Sequence, residues 1–184
     1  AARMDGHWEV VAGALASTPE RAQASGEELS LAAERIYPDF ATMASAEATR
    51  HDGIDAVSIV TPNHVHFPAA KAFLEAGIPV ICDKPLTSNG EDAAALAAVV
   101  ARTGTPFVLT HNYTGYPMIR QARAMVEAGD LGELRLVHIE YIQDWLSEDR
   151  ESEGVKQAAW RTDPKQSGAG GAIGDIGSHA FNLV

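Results

Sequence analysis

A few clusters of residues in this chain carry side chains that could do chemistry. The first is Asp175 and His179, within GDIGSHAFN. They lie four residues apart, so on a helix they share a face. A carboxylate beside an imidazole favours the imidazolium and orients the ring, which suits a general acid–base. A satisfied pair on a helix surface has the same spacing. Asn182 follows three residues later on the same side. The second cluster is Asp83-Lys84-Pro85, directly after the apolar run PVIC. A lysine at the end of a buried strand is partly desolvated, and desolvation makes an amine useful in proton chemistry. Pro85 biases Lys84 toward an extended backbone. The plain alternative is a loop lysine in water.

The third cluster is Thr61–His66 (TPNHVH), directly after AVSIV. Ligands of open α/β sheets bind outside the carboxyl ends of the strands, so polar residues there are placed for a cofactor. Asn63 both donates and accepts; it also suits a simple helix cap. The fourth is the stretch Ala16-Ser17-Thr18-Pro19-Glu20-Arg21. Dinucleotide folds usually place an acidic residue here to hold the adenosine ribose. Small hydroxyl residues with Arg21 nearby would accept a 2′-phosphate instead, or simply begin a helix. Trp160-Arg161 either closes over a ligand or pins a loop. His51, His64, His66, His111 and Cys82 include metal-ligand types, but nothing fixes them to one point, so no metal is expected.

Composition narrows the classes. The 184 residues include 14 basic and 25 acidic ones, a formal net charge of −11. Such a chain repels phosphate backbones, so a nucleic-acid partner is not expected. Hydrophobic residues make up 46% and charged residues 21%, the balance of a globular protein. No apolar run approaches the roughly 18 residues that span a bilayer, so a membrane partner is not expected either. The single cysteine excludes an intramolecular disulfide framework.

The elements that must position these residues alternate over the first part of the chain. Glu9–Leu15, Ala56–Val60, Pro79–Cys82 and Phe107–Thr110 are apolar runs that suit strands buried on both faces. Helices are predicted from Pro19, over Pro68–Ala76 with Gly77 at its end, and after a Ser88 or Asn89 cap up to Gly104. Repeated strand–helix–strand units imply a doubly wound parallel sheet. The pattern changes near residues 111–116. Pro117–Ala128 reads as a helix ending at Gly129, and Leu134–Tyr141 as a strand with one covered face. Residues 146–171 read as a long functional loop, and 172–184 as the start of a helix.

Taken together, GIDAVSIVTPNHVHFPAAKAFLEAGIPVICDKP, HNYTGYP, WRTDPKQSGAGG and GDIGSHAFN resemble the Gfo/Idh/MocA oxidoreductases. The resemblance covers nearly the whole chain. It implies a Rossmann domain for NAD or NADP over residues 1–112, followed over 113–184 by the start of a substrate domain with a mostly antiparallel sheet. The family's EKP tripeptide corresponds to Asp83-Lys84-Pro85, with Asp in place of Glu. Its D-x-x-x-H pair corresponds to Asp175 and His179, and Asn182 stands where Asp is common. The first strand and the G-x-G-x-x-G loop of the family are not in the chain, which therefore reads as an internal fragment of a longer parent.

The resemblance also implies roles. The parent would move hydride between the cofactor and a sugar, inositol or related polyhydroxy compound. His179 would be the general acid–base. Lys84 would bind the reacting hydroxyl, and Asp175 would hold substrate or His179. Thr61, Pro62, Asn63, His66, Asp83, Lys84 and Asn112 would line the cofactor, with Ser17, Thr18 and Arg21 at the adenosine end. Tyr113, Trp160 and Arg161 would border the substrate. A cytoplasmic homo-oligomer, dimer or tetramer, completes this expectation. A non-redox enzyme using bound NAD on the same scaffold, or a non-catalytic binding protein, are the alternatives.

Overall fold

The first helix, α1 (Pro19–Glu28), begins with proline after Thr18, where a preset φ costs the helix nothing. Helix α2 (Phe40–Glu47) is capped by Asp39, whose carboxylate accepts from the Thr42 N–H at 2.7 Å. The apolar runs then become strands. They are β1 (Val57–Ile59), β2 (Val80–Asp83) and β3 (Phe107–Thr110), adjacent in that order. Helix α3 (Asn63–Glu75) links β1 to β2, and α4 (Gly90–Thr103) links β2 to β3. Neighbouring strands joined through a helix form the parallel arrangement of a Rossmann sheet. Gly77 stops α3 at a φ of 78°, a value that a side chain would strain. Asn89 caps α4 by accepting from the Asp92 N–H at 2.8 Å. Beyond the sheet lie α5 (Pro117–Ala128), α6 (Lys156–Thr162), α7 (Pro164–Ser167), a π turn at Ile173–Gly177 and α8 (Ser178–Asn182).

This computed structural model describes residues 4–168 and 170–184, so the expected 1–112 domain and 146–171 loop each include residues outside the described ones. Its chain divides into two compact units. One comprises Ala1–Ile59, Pro68–Ile81 and Leu96–Phe107, the other Val60–Phe67, Cys82–Ala95 and Val108–Val184. The first unit holds most of the apolar core, with Phe73, Leu74, Val80 and Leu96 fully buried. The second buries mainly polar side chains, among them Asn63, His66, Thr87 and His179.

Four expectations need correction. Glu9–Leu15 is not a strand; only Gly13 pairs, in an isolated parallel bridge to Ile36. Its alanines and glycine give a ladder little side chain to pack. Helix α3 begins at Asn63, not Pro68, because the turn at Pro62 already accepts from the Val65 N–H. The 146–171 stretch is not structureless, since it carries α6 and α7. Leu134–Tyr141 forms no strand, and Leu136 is 85% exposed. No antiparallel strand pairs with it among the described residues, and a strand without a neighbour leaves its backbone groups to water.

One network in the first unit is costly to break. Glu47, 2% exposed, accepts from Arg35 Nε at 3.1 Å, from the Tyr37 hydroxyl at 2.7 Å and from the Ile54 N–H at 3.2 Å. Burial first, then Glu47, pushes the Tyr37 hydroxyl up to about 12, so it stays a donor. Glu47→Ala leaves the buried Arg35 guanidinium with Asp52, 3.8 Å away, as its remaining carboxylate partner. We expect a loss of about 3–5 kcal/mol, measured by urea unfolding of the full-length protein. A loss below about 1 kcal/mol would mean that water replaces the carboxylate.

Candidate active site

The site is built wholly within the second unit, around Asp175. The π turn presents both the carbonyl and the carboxylate of this residue. Lys84, just past the end of β2, donates from Nζ to the Asp175 main-chain oxygen at 2.8 Å and forms an ion pair with its carboxylate. Arg161 on α6 donates from Nε to the second carboxylate oxygen at 3.1 Å. Burial pushes the Asp175 carboxyl up, but the Lys84 hydrogen bond and both positive charges outweigh it and hold the group below the usual carboxylate value. Arg161 is itself fixed. Its guanidinium stacks 4.2 Å from the Trp160 ring centre and 5.4 Å from that of Trp145, and it donates to the Gln157 side chain at 2.7 Å.

His179 is 5% exposed and lies in an aromatic box. Ring centres of Tyr113, His111 and Tyr141 stand 4.4, 5.7 and 6.5 Å from its own. Burial lowers its pKa below 6.5; the Lys84 and His111 charges add to this, and Asp175 opposes it weakly. This corrects the expectation of an imidazolium paired with Asp175. The carboxylate is committed to Lys84 and Arg161, and no hydrogen bond joins it to His179 among the described residues. His179 Nδ1 is buried without a partner, as is His111 Nδ1. Tyr113 and Tyr141 join their hydroxyls, and that bond, with burial, pushes Tyr113 up to about 12.

Lys84, Asp175, His179, Tyr113 and Arg161 line one cleft of about 440 Å³. Trp160 stacks on Arg161 but is not part of the lining. Sequence reasoning missed Tyr141, Gln143 and Trp145, which line it too. The available signal is the alternation itself, aromatic and amide side chains at positions 141, 143 and 145. It also missed Gln157, one turn before Arg161 on α6.

The expected cofactor residues divide. Thr61, Asp83 and Asn112 are exposed at or just past the carboxyl ends of β1, β2 and β3, where an open α/β sheet takes a nucleotide. Asp83 accepts from the Thr110 hydroxyl at 2.7 Å. Pro62 is half-buried at the start of the same turn. Two others are corrected. Asn63 is buried and donates to the Ser167 carbonyl at 2.9 Å. His66 is 1% exposed, with ring nitrogens 2.7 Å from the Pro85 carbonyl and 2.9 Å from that of Thr61. Both side chains are consumed by the protein and neither is presented to a ligand. Ser17, Thr18 and Arg21 are exposed at the start of α1, in the first unit, and Thr18 makes no side-chain cap. These open, polar strand ends fit a nicotinamide dinucleotide.

Residues 1–111 match the oxidoreductase family with an NAD-binding Rossmann fold, and residues 119–184 match the GFO/IDH/MocA C-terminal domain. The chain belongs to this family. An oxidoreductase from Sinorhizobium meliloti is 55% identical, with a TM-score of 0.85 over 99% of this chain and 45% of that one. An inositol dehydrogenase homolog from Azotobacter vinelandii, complexed with NADH and myo-inositol, is 37% identical, with a TM-score of 0.86 over 97% of this chain and 45% of its own. Levoglucosan dehydrogenase from Pseudarthrobacter phenanthrenivorans is 32% identical over 89% of this chain and 40% of that protein. The chain thus spans less than half the length of these relatives.

In the full-length protein, the His179 ring is expected to titrate below 6.5. The folded state then binds fewer protons than the unfolded one. Stability from this group is fully present above 6.5 and is lost as pH falls toward the lowered value. Histidine-selective NMR, assigned with His179→Gln, reads the midpoint directly. A midpoint above 6.5 would show that the Asp175 charge governs the ring after all.

Proposed function

We propose that the whole protein is an NAD(P)-dependent oxidoreductase that moves hydride between the cofactor and a carbinol carbon of a sugar, inositol or related polyhydroxy compound. Residues 1–112 serve the cofactor and 113–184 begin the substrate domain. The observation that carries this reading is the juxtaposition of a buried imidazole with a lowered pKa and an ammonium tied to Asp175, in one cleft. The relatives bound to myo-inositol or named for levoglucosan support the substrate class.

Bound nicotinamide supplies the hydride acceptor or donor. The protein manages the hydroxyl proton and the position of the carbon. His179, neutral near pH 7, takes the proton at Nε2 as alcohol becomes carbonyl, and returns it in the reverse direction. Lys84 has three N–H donors, two of them directed to Asp175. The third is available to the reacting oxygen, where a positive charge favours the developing alkoxide. Asp175 fixes the ammonium, and Tyr113 and Arg161 border the polyol. Thr61, Pro62, Asp83 and Asn112 face the cofactor from the strand ends. Asn63 and His66 support them from behind. Ser17, Thr18 and Arg21 take the adenosine end. A reducing compartment such as the cytoplasm suits the single cysteine, Cys82, buried and unpaired. Self-association suits the exposed Leu136 and Ile142.

Two measurements test this reading in the full-length protein. With no acid at Ala16-Ser17-Thr18, and with Arg21 able to pair a phosphate, NADP is expected to support a higher kcat/KM than NAD. A clear preference for NAD removes the role given to Arg21. Lys84→Met and His179→Ala are each expected to lower kcat about 10²- to 10⁴-fold on a polyol panel including myo-inositol and levoglucosan, with dinucleotide affinity little changed. If His179→Ala stays within a few-fold of wild type, the proton leaves by another route and the assignment fails.

A further inference from the structure

We infer that His66 is a positioning residue for Lys84, holding the turn that carries the ammonium against the turn after β1. The inference rests on the catalytic reading of Lys84 given above. An imidazole carries its two nitrogens on opposite edges of a rigid ring. Here one edge meets the Pro85 carbonyl at 2.7 Å and the other the Thr61 carbonyl at 2.9 Å. A neutral ring has one N–H and so donates to one of these carbonyls and abuts the other, and its rigid width sets the distance between the two main-chain atoms. Pro85 directly follows Lys84, so fixing its carbonyl fixes the direction in which the Lys84 side chain leaves the backbone. Water does not compete, because the ring is 1% exposed.

The demand on Lys84 explains why such a spacer is useful. Its Nζ meets both the main-chain oxygen and the carboxylate of Asp175, two acceptors on one residue. A small rotation of the 83–85 turn loses one of them. The other side of the pair is held from the same segment. Asn63, three residues before His66 and so on the same face of α3, donates to the Ser167 carbonyl at 2.9 Å. At that point Gly168, at a φ of 87°, lies so close to the Ser88 carbonyl that a Cβ would stand 2.7 Å from its oxygen. The chain then runs on to the π turn that bears Asp175. The first turn of α3 thus meets both the Pro85 carbonyl beside Lys84 and the Ser167 carbonyl of α7, and His66 is the contact on the lysine side.

A positioning role is separable from a merely structural one by a double-mutant cycle. His66→Gln keeps a donor but not the rigid two-edged ring; His66→Leu keeps bulk and no polar atom. Each is made in the full-length protein, alone and with Lys84→Met. The readouts are kcat with the polyol that wild type oxidises fastest and the Kd for NADPH and NADH by nicotinamide fluorescence. Alone, each variant is expected to lower kcat by up to about 10²-fold, the effect of a misplacement of about 1 Å, with dinucleotide Kd nearly unchanged. In the Lys84→Met background the same substitutions are expected to lower kcat hardly at all. Full additivity overturns the inference, as does a loss confined to dinucleotide affinity. Failure of both variants to fold also overturns it, because His66 is then a stability residue. If Lys84→Met itself leaves kcat unchanged, the catalytic reading fails and takes this inference with it. If Lys84→Met is impaired while the His66 losses add to it, only this inference fails.

Discussion

A carboxylate held between two cations fixes the geometry of the cleft. Asp175 gives one oxygen to Lys84 and the other to Arg161, and its main-chain oxygen to Lys84 as well. Each of these groups is partly withdrawn from water, so removing Asp175 leaves both cations without the carboxylate between them. The cluster also binds together stretches distant in sequence: the turn after β2, helix α6 and the π turn. A π turn suits this purpose. Its wider ring frees a carbonyl from the helical ladder, and such turns recur at functional sites. The residue that needs two acceptors, Lys84, finds both on one residue.

The commitment of Asp175 determines the state of His179. With its carboxylate occupied, the aspartate offers the imidazole little stabilisation of a positive charge. Burial and the neighbouring ammonium then leave the ring neutral. The rest of the second unit follows the same logic. Much of its interior is polar, and these groups are tolerated because they find partners: Asn63 on Ser167, Thr87 on Asn89, His66 on a main-chain carbonyl. The exceptions among the described residues are Ser88 Oγ and the Nδ1 atoms of His111 and His179. Two of the three are imidazole nitrogens, one on His179, which lines the cleft, and one on His111, whose ring stands against it.

Much of this was legible in the sequence, for physical reasons that differ by element. β3 and α5 match their sequence-based bounds because their signals are local: a short apolar run for one, proline at the start and Gly129 at a φ of 78° at the end for the other. Lys84, Asp175 and His179 were legible as chemistry-bearing types at strand and helix ends. Their partners were not. Spacing of four predicts that Asp175 serves His179, but spacing says nothing of a lysine 91 residues away that competes for the carboxylate. The same limit hid the use of Asn63 and His66. Their polar character at a strand end points equally to a ligand and to a neighbouring carbonyl, and only the tertiary contact selects between them.

The stretch from Leu134 to Trp145 shows the limit most sharply. Its alternation predicts a strand with one covered face, yet no strand forms there, and Ile142 is 87% exposed between Tyr141 and Gln143. Alternation reports that two faces differ; it does not report what lies against either. Here Tyr141, Gln143 and Trp145 border the cleft. Those side chains are aromatic and amide groups, which suit a wet, polar ligand better than a dry core, where each amide would need its own partner. A strand built to cover a hydrophobic core would carry Val, Ile or Leu at these positions. The residue types on the inward face, read together with the alternation, therefore distinguish a site wall from a core wall, and they do so before any neighbour is known.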